Sequence, residues 1–286
     1  MLSQEYINNP RMSQSKLKHI LDGVEEFKYA LDNPREPSDE MNLGSAVHLL
    51  LLEPHNYDKI IKMEKYSGST REGKIFKFLR NECGMRDKFK VVKKPKKADL
   101  NAFEITEAES EFVVELLNKY GNYFRNPENY ISLSESEYEK AHKMVEAVQD
   151  NEDARHLLQQ CEAFEKTHFF DYEGIKFKCQ VDAEGSDFIL DLKTTGTVTS
   201  DLQSITREIY NRRYDFQAAT YLIGAQKPKY FIVFVRSIAP YGVFPVELSE
   251  EVLNKGASLL DTACEIYKKC LRSNPNFKPN NKIRKI

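Results

Sequence analysis

Residues 188–195 read FILDLKTT, an apolar run that ends in an aspartate, skips one leucine and goes on to a lysine and two threonines. In a β-strand, side chains two apart share a face, so Asp191 and Lys193 are aimed together while Leu192 packs behind them. The residues upstream supply partner strands. AFEKTHFF (163–170), a DYEG turn, IKFKCQVDA (175–183), an EGSD turn and FILDLKTT together read as a three-stranded antiparallel meander. With Gly185 and Ser186 at the centre of a tight hairpin, Asp182 falls opposite Ile189, and the pleat turns it to the face of Asp191 and Lys193. Two acids separated by a turn repel one another, and a divalent cation between them relieves that, because hard cations prefer carboxylate oxygens. The lysine is then free to orient a water or to neutralise charge on an attacked phosphate.

Working outward, residues 13–31 carry apolar positions at helical spacing behind a serine suited to N-capping, and LGSAVHLLLLEP (43–54) reads as a second helix closed by Pro54. Residues 60–105 break the pattern. KFKVVKKPKKADL (88–100) reads as a basic loop or short hairpin, and Lys93, Lys94, Lys96 and Lys97 make it the best local electropositive candidate. Thr106-x-x-Glu109 and Ser134-x-x-Glu137 are capping boxes that open two helices. After the meander come helices at about 201–210 and 213–225, strands KYFIVFVRS (229–237) and GVFPVEL (242–248), and a long C-terminal helix from Ser249. The order predicts an α/β (α+β) fold with a mixed central sheet, an antiparallel meander and flanking helices. We expect a single domain over 1–286, with a helical and basic elaboration at 81–127 and a flexible basic tail at 276–286.

The chain has 286 residues with 41% hydrophobic content, enough for a substantial core. Lys+Arg of 42 against Asp+Glu of 44 leave a net charge of −2, so any nucleic-acid site is a local patch rather than a general polycation. The opening MLSQEYINNP has no apolar signal region and no long apolar run follows, which predicts a cytoplasmic protein that does not enter a membrane. Five scattered cysteines without a C-x-x-C pair fit reduced thiols and argue against a zinc ribbon.

Four further residues join the site. Glu165 lies on the strand before Asp182. His48 follows Gly44-Ser45-Ala46, small residues that let its helix approach another backbone. Gln217 and Tyr221 are four apart, on one face of the helix after the meander. A lone D-x-K is commonly a surface ion pair and a lone histidine in an apolar helix a core residue; their combination is what points to chemistry.

Gly44-x-x-x-His48 followed by LLLEP, Asp182, DLKTT at 191–195 and FQAATY at 216–221 together resemble the PD-(D/E)XK nuclease superfamily, and within it the exodeoxyribonuclease VIII (RecE)-like phage exonucleases. MSQSKLKHIL (12–21), STREGK (69–74) and residues 131–148 extend the likeness over most of the chain. The resemblance implies a restriction-endonuclease-like core. It implies that His48, Asp182, Asp191 and the Leu192 carbonyl ligate Mg²⁺ or Mn²⁺, one or two ions per site, with Glu165 joining a second ion. Lys193 would assist the attacking water, and Gln217 and Tyr221 would orient Lys193 or the cut strand. Arg71, Lys178 and Gln180 are further candidates for DNA contact; relatives often carry an arginine where this chain has Gln180. The implied activity is 5′→3′ degradation of one strand at double-stranded DNA ends. The implied partners are a homo-oligomeric ring (trimer or tetramer) and a single-strand annealing protein. The rivals are an endonuclease of the same fold and an inactive DNA-end-binding module; an iron–sulfur nuclease is set aside because Cys264 and Cys270 lack cysteine partners nearby.

Overall fold

The computed structural model describes residues 4–33, 38–64, 66–67, 69–83, 106 and 109–273. In chain order the elements are α1 (Gln4–Asn8), β1 (Met12–Ser13), α2 (Gln14–Leu17), α3 (Val24–Asp32), α4 (Asp39–Leu52), β2 (Ile60–Lys62), α5 (Arg71–Cys83), α6 (Ser110–Arg125), β3 (Ile131–Leu133), α7 (Glu135–Asp150) and α8 (Glu152–Gln159). They continue as β4 (Ala163–Tyr172), β5 (Ile175–Glu184), β6 (Phe188–Thr195), α9 (Leu202–Asn211), α10 (Tyr214–Ala225), β7 (Lys229–Arg236), β8 (Val243–Glu247) and α11 (Glu250–Ser273). No described helix is long and apolar enough to cross a membrane.

Helix starts obey local capping. Ser38, Asn151 and Asp201 accept backbone N–H bonds from the first turns of α4, α8 and α9. The Ser134 capping box forms in both directions, Glu137 accepting the Ser134 N–H at 2.8 Å and Ser134 Oγ the Glu137 N–H at 3.4 Å; at Thr106 only the Glu109 half forms, at 2.9 Å, and the Glu109 N–H goes to the Thr106 carbonyl. Residues 13–31, expected as one helix, are instead broken. Met12 and Ser13 are drawn into parallel pairing with Phe177 and Lys178, a tertiary demand that local periodicity does not register. At Gly23 φ is 151°, and a Cβ there would lie 2.1 Å from Glu26 Oε2, so only glycine turns the chain into α3.

The chain forms two compact units, Met1–Pro54 with Lys140–Ile286, and His55–Glu139. In the second, β2 and β3 pair in parallel, and Ile75 and Leu79 of α5 pack with Val113, Leu116, Tyr120 and Phe124 of α6. The stretch 60–105, where local patterning is broken, holds a strand and a helix in its described part, and 88–100, expected as a basic loop or short hairpin, lies outside the described residues. Lys93, Lys94, Lys96, Lys97 and the tail at 276–286 lie outside the described residues.

The first unit is built on a six-stranded mixed sheet, ordered β1-β5-β6-β7-β8 with β4 on the other edge of β5. The predicted meander forms. β4 and β5 pair along their whole length, but β6 pairs with β5 only through Ala183↔Leu190 and Glu184↔Ile189 before running parallel to β7 from Phe188↔Lys229 to Thr195↔Arg236. The hairpin closes one residue later than expected, with Ser186 and Asp187 at its tip and the Gly185 N–H on the Phe188 carbonyl at 3.0 Å. Gly185 permits this because any Cβ there would strike the Phe188 ring, and Lys227 and Lys229 hold the tip through its carbonyls and Asp187.

Two helices sandwich β6. Gln217 of α10 reaches Asp191, whereas Gly44 of α4 meets Thr194, on the opposite side of the pleat. Cys179, Val181, Ile189, Ala218, Ile232 and Phe234 form a buried cluster between sheet and helices, each large side chain contributing ~1.5–3 kcal/mol by burial. Helix α11 crosses the start of α10 at Gly256, where a Cβ would lie 2.0 Å from the Asp215 carbonyl oxygen.

Candidate active site

Where β5 and β6 part, backbone groups lose their ladder partners and side chains take over. Asp182 Oδ2 accepts the Leu192 N–H at 2.8 Å, and His48 of α4 donates its Nε2–H to the Leu192 carbonyl at 2.7 Å. A carbonyl can only accept, so the proton sits on Nε2, and in the neutral ring Nδ1 offers its lone pair towards Asp182, 3.5 Å from Oδ2. On the other side of β5, the pairs Phe164↔Ala183 and Lys166↔Val181 place Glu165 opposite Asp182. Glu165 has a φ of 51°, a left-handed conformation uncommon outside glycine, within an otherwise extended strand. Gln180 donates to its carboxyl group.

The result is a half-buried trio, His48, Glu165 and Asp182, whose ligand atoms all lie within 4.8 Å of one another. Burial, and next the charge of Asp182, push the Glu165 carboxyl above its usual range. One imidazole nitrogen and two carboxylates suit a divalent cation, whose charge would remove that repulsion.

Asp191 stands outside the trio, 1% exposed. Its Oδ1 accepts from Gln217 Nε2 at 2.7 Å and its Oδ2 meets Lys193 Nζ at 2.7 Å. Burial, opposed by Lys193 but reinforced by Asp182, raises the Asp191 carboxyl to about 6. Burial works against the Lys193 ammonium, yet Asp191 and then Asp182 outweigh it, and the group holds its proton more tightly than an ordinary lysine. The Tyr214 ring lies 5.2 Å from Lys193 Nζ and completes its setting.

The chain matches the family described as PDDEXK-like domain of unknown function (DUF3799) over residues 97–281. It belongs to that family. No curated protein matches the chain. Among solved structures, a candidate exonuclease from Eubacterium rectale is similar in fold, with a TM-score of 0.53 at 14% identity over 96% of this chain and 93% of that one. A phage-related exonuclease from Haemophilus somnus is matched over 67% of this chain and 94% of that one, at 15% identity and a TM-score of 0.32. The fold and family are those to which the sequence resemblance pointed, and a PDDEXK-like domain supports a hydrolytic nuclease.

In this PDDEXK-like domain the other sequence-selected residues are placed unequally. The Leu192 carbonyl faces His48. Tyr221 is half-buried on α10, its phenol raised well above 10 by burial first and then by Tyr6 and Asp191; the aromatic ring beside Lys193 is that of Tyr214. Lys178, a candidate for DNA contact, is 4% exposed and donates to the carbonyls of Tyr6 and Asn9, tying α1 to β5; burial lowers its pKa to about 8. Arg71 is engaged by both oxygens of Glu109 and, with the Thr106 backbone, holds that carboxyl at about 2.

Sequence reasoning missed Tyr214, Tyr230 and Glu208. The Tyr230 hydroxyl lies 3.3 Å from Gln217 Nε2, on a strand whose apolar run conceals its one polar tip. Buried Glu208 accepts from Thr197 Oγ1 at 3.0 Å and Thr195 Oγ1 at 3.5 Å, clamping the segment after Lys193 to α9. Thr195 and Thr197, two apart at the strand end, were the available signal.

Proposed function

We propose that the chain is a metal-dependent deoxyribonuclease that degrades one strand of linear double-stranded DNA from an end, 5′→3′, leaving a 3′ single strand for recombination by annealing. The observation that carries this reading is the convergence of His48, Glu165 and Asp182 beside the Asp191–Lys193 pair. His48 Nδ1, Glu165 and Asp182 would hold Mg²⁺ or Mn²⁺, with Asp191 and the Leu192 carbonyl adjacent for a shared or second ion. Such an ion, when bound, makes a water nucleophilic at neutral pH and stabilises charge on phosphate oxygens.

The remaining work falls to the chain. Lys193, kept protonated by Asp191, presents a fixed positive charge to the phosphate as negative charge builds there, and serves as a proton donor rather than a base. Gln217 fixes the Asp191 carboxyl, and the Tyr214 ring faces the ammonium, so the charge is positioned before substrate arrives. A ring-shaped trimer or tetramer and a single-strand annealing protein belong to the same proposal.

Purified chain with Mg²⁺ should digest linear duplex and leave covalently closed circles intact. Nicking of circles would favour an endonuclease of this fold. No cutting of any DNA with either metal would overturn the reading.

A further inference from the structure

The nuclease reading requires phosphate contacts, and with a net charge of −2 they have to be local. Arg71 is paired with Glu109 and buried Lys178 is spent on backbone carbonyls, so the charge of each is already engaged within the fold. Arg236 and Arg213 are differently placed. Arg236 ends β7, paired with Thr195, and its backbone is fixed by its own N–H on Gly242 at 2.9 Å and by Ser237 on Thr195 at 2.8 Å. Its Nε is buried without a hydrogen-bond partner, and its side chain makes no other hydrogen bond or ion pair among the described residues.

Lys193 pairs with Phe234, and the Tyr214 ring touches both, at 5.2 Å from Nζ and 6.1 Å from the Phe234 ring. Arg236, two residues beyond Phe234, shares that face about 6.6 Å further along the strand. Arg213 lies on the helical side, immediately before Tyr214. It holds a left-handed φ of 60°, anchored by its N–H on Tyr210 and its carbonyl on Gln217, and its guanidinium likewise forms no hydrogen bond or ion pair among the described residues. Asp215, two residues on, feels its charge without bonding to it.

We propose that Arg236 and Arg213 grip backbone phosphates of the substrate strand on either side of the reacting one, so that the strand crosses the sheet end past Lys193. A guanidinium whose root is rigid and whose donors are unspent suits a phosphate, which accepts two parallel N–H bonds. The inference rests on the nuclease reading and names the surface that reading lacks.

The test is equilibrium binding of the full chain to a labelled linear duplex in metal-free buffer over a series of salt concentrations, with turnover measured separately in Mg²⁺. R236Q and R213Q should each lower the slope of log affinity against log salt by about 0.9, the signature of one lost phosphate contact. Each should raise KM severalfold with kcat within about twofold, and R236K should keep the wild-type slope because its charge remains. Melting temperatures establish folding first; if R236Q fails to fold, R213Q and R236K decide the matter on the same slopes. A wild-type chain that cuts DNA, with R213Q and folded R236Q showing unaltered slopes, overturns the arginine assignment alone. A wild-type chain that neither binds nor cuts duplex overturns the nuclease reading beneath it.

Discussion

Gln217 donates a 2.7 Å hydrogen bond to Asp191, joining helix α10 to strand β6 with both side chains buried. The same nitrogen lies 3.3 Å from the Tyr230 hydroxyl, so both amide hydrogens are spent and the amide cannot flip without losing two partners. Gln217→Ala strands Asp191 Oδ1 and should cost ~1–3 kcal/mol of stability. If Asp191 must be held in place, turnover falls about 100-fold as well, a loss of the size seen when one preorganised group is removed. Tyr230→Phe, which removes only the outer acceptor, should cost ~1 kcal/mol and far less turnover. Thermal melting and single-turnover rates check both; wild-type rates in Gln217→Ala would remove Asp191 from the chemistry.

Lys193→Ala tests the ammonium itself. Its side chain is 19% exposed and its partner's 2%, so the variant leaves an acid buried without its countercharge. Breaking such a pair costs ~3–5 kcal/mol when the remaining group cannot adapt. Asp191 can adapt by taking up a proton, so the measured loss should fall short of that range and the metal-free variant should bind one more proton near neutrality. Turnover should drop at least about 1,000-fold with duplex binding retained. Digestion at the wild-type rate would refute the proposed role of Lys193.

Much of this site could be read from residues because strand alternation is strict and charges stand out against it. Asp182, Asp191 and Lys193 interrupt apolar runs at positions where a pleat aims them, and the meander that carries them is signalled by two turns. The parts that escaped depend on contacts distant in sequence. Met12 and Ser13 become a strand only because β6 leaves β5 after two pairs and exposes its edge. Lys178 reads as a free cation in an alternating strand, but the N-terminal segment folds over it. The backbone reversal at Glu165 has no local signature, since nothing in EAFEKTH departs from an ordinary strand.

Stability should depend on pH in a way that reveals the metal site. Burial raises Asp191 to about 6 from 3.8, and Glu165 moves upward from 4.5. A group raised on folding favours the folded state below its unfolded value and loses that contribution as pH climbs through the folded one. Metal-free protein should therefore lose stability from Asp191 between about pH 4 and 6, with Glu165 acting in the same direction. A cation binds the ionised forms, so Mg²⁺ should raise the melting temperature more at pH 7.5 than at pH 5. A Mg²⁺ shift independent of pH, or one preserved when Asp182 and Glu165 are both changed to the amides, would place the ion elsewhere.

The approach of α4 to β6 can be tested without touching a charged group. A Cβ at Gly44 would lie 2.8 Å from Thr194 Oγ1 and 4.0 Å from its Cβ and Cγ2, so the first obstacle is one hydroxyl. His48 lies one turn further along the same helix and reaches Leu192 at 2.7 Å, a distance that tolerates little retreat. Gly44→Ala should therefore cost ~1–3 kcal/mol through overpacking, partly offset by the gain in helix propensity, and should weaken Mg²⁺ binding as His48 draws back. Thr194→Ala removes the obstructing atom and should change little by itself. The double variant should recover most of both losses, a coupling of ~1–2 kcal/mol between residues that touch. Additive effects in the cycle would mean that α4 is held away from β6 by something other than this contact.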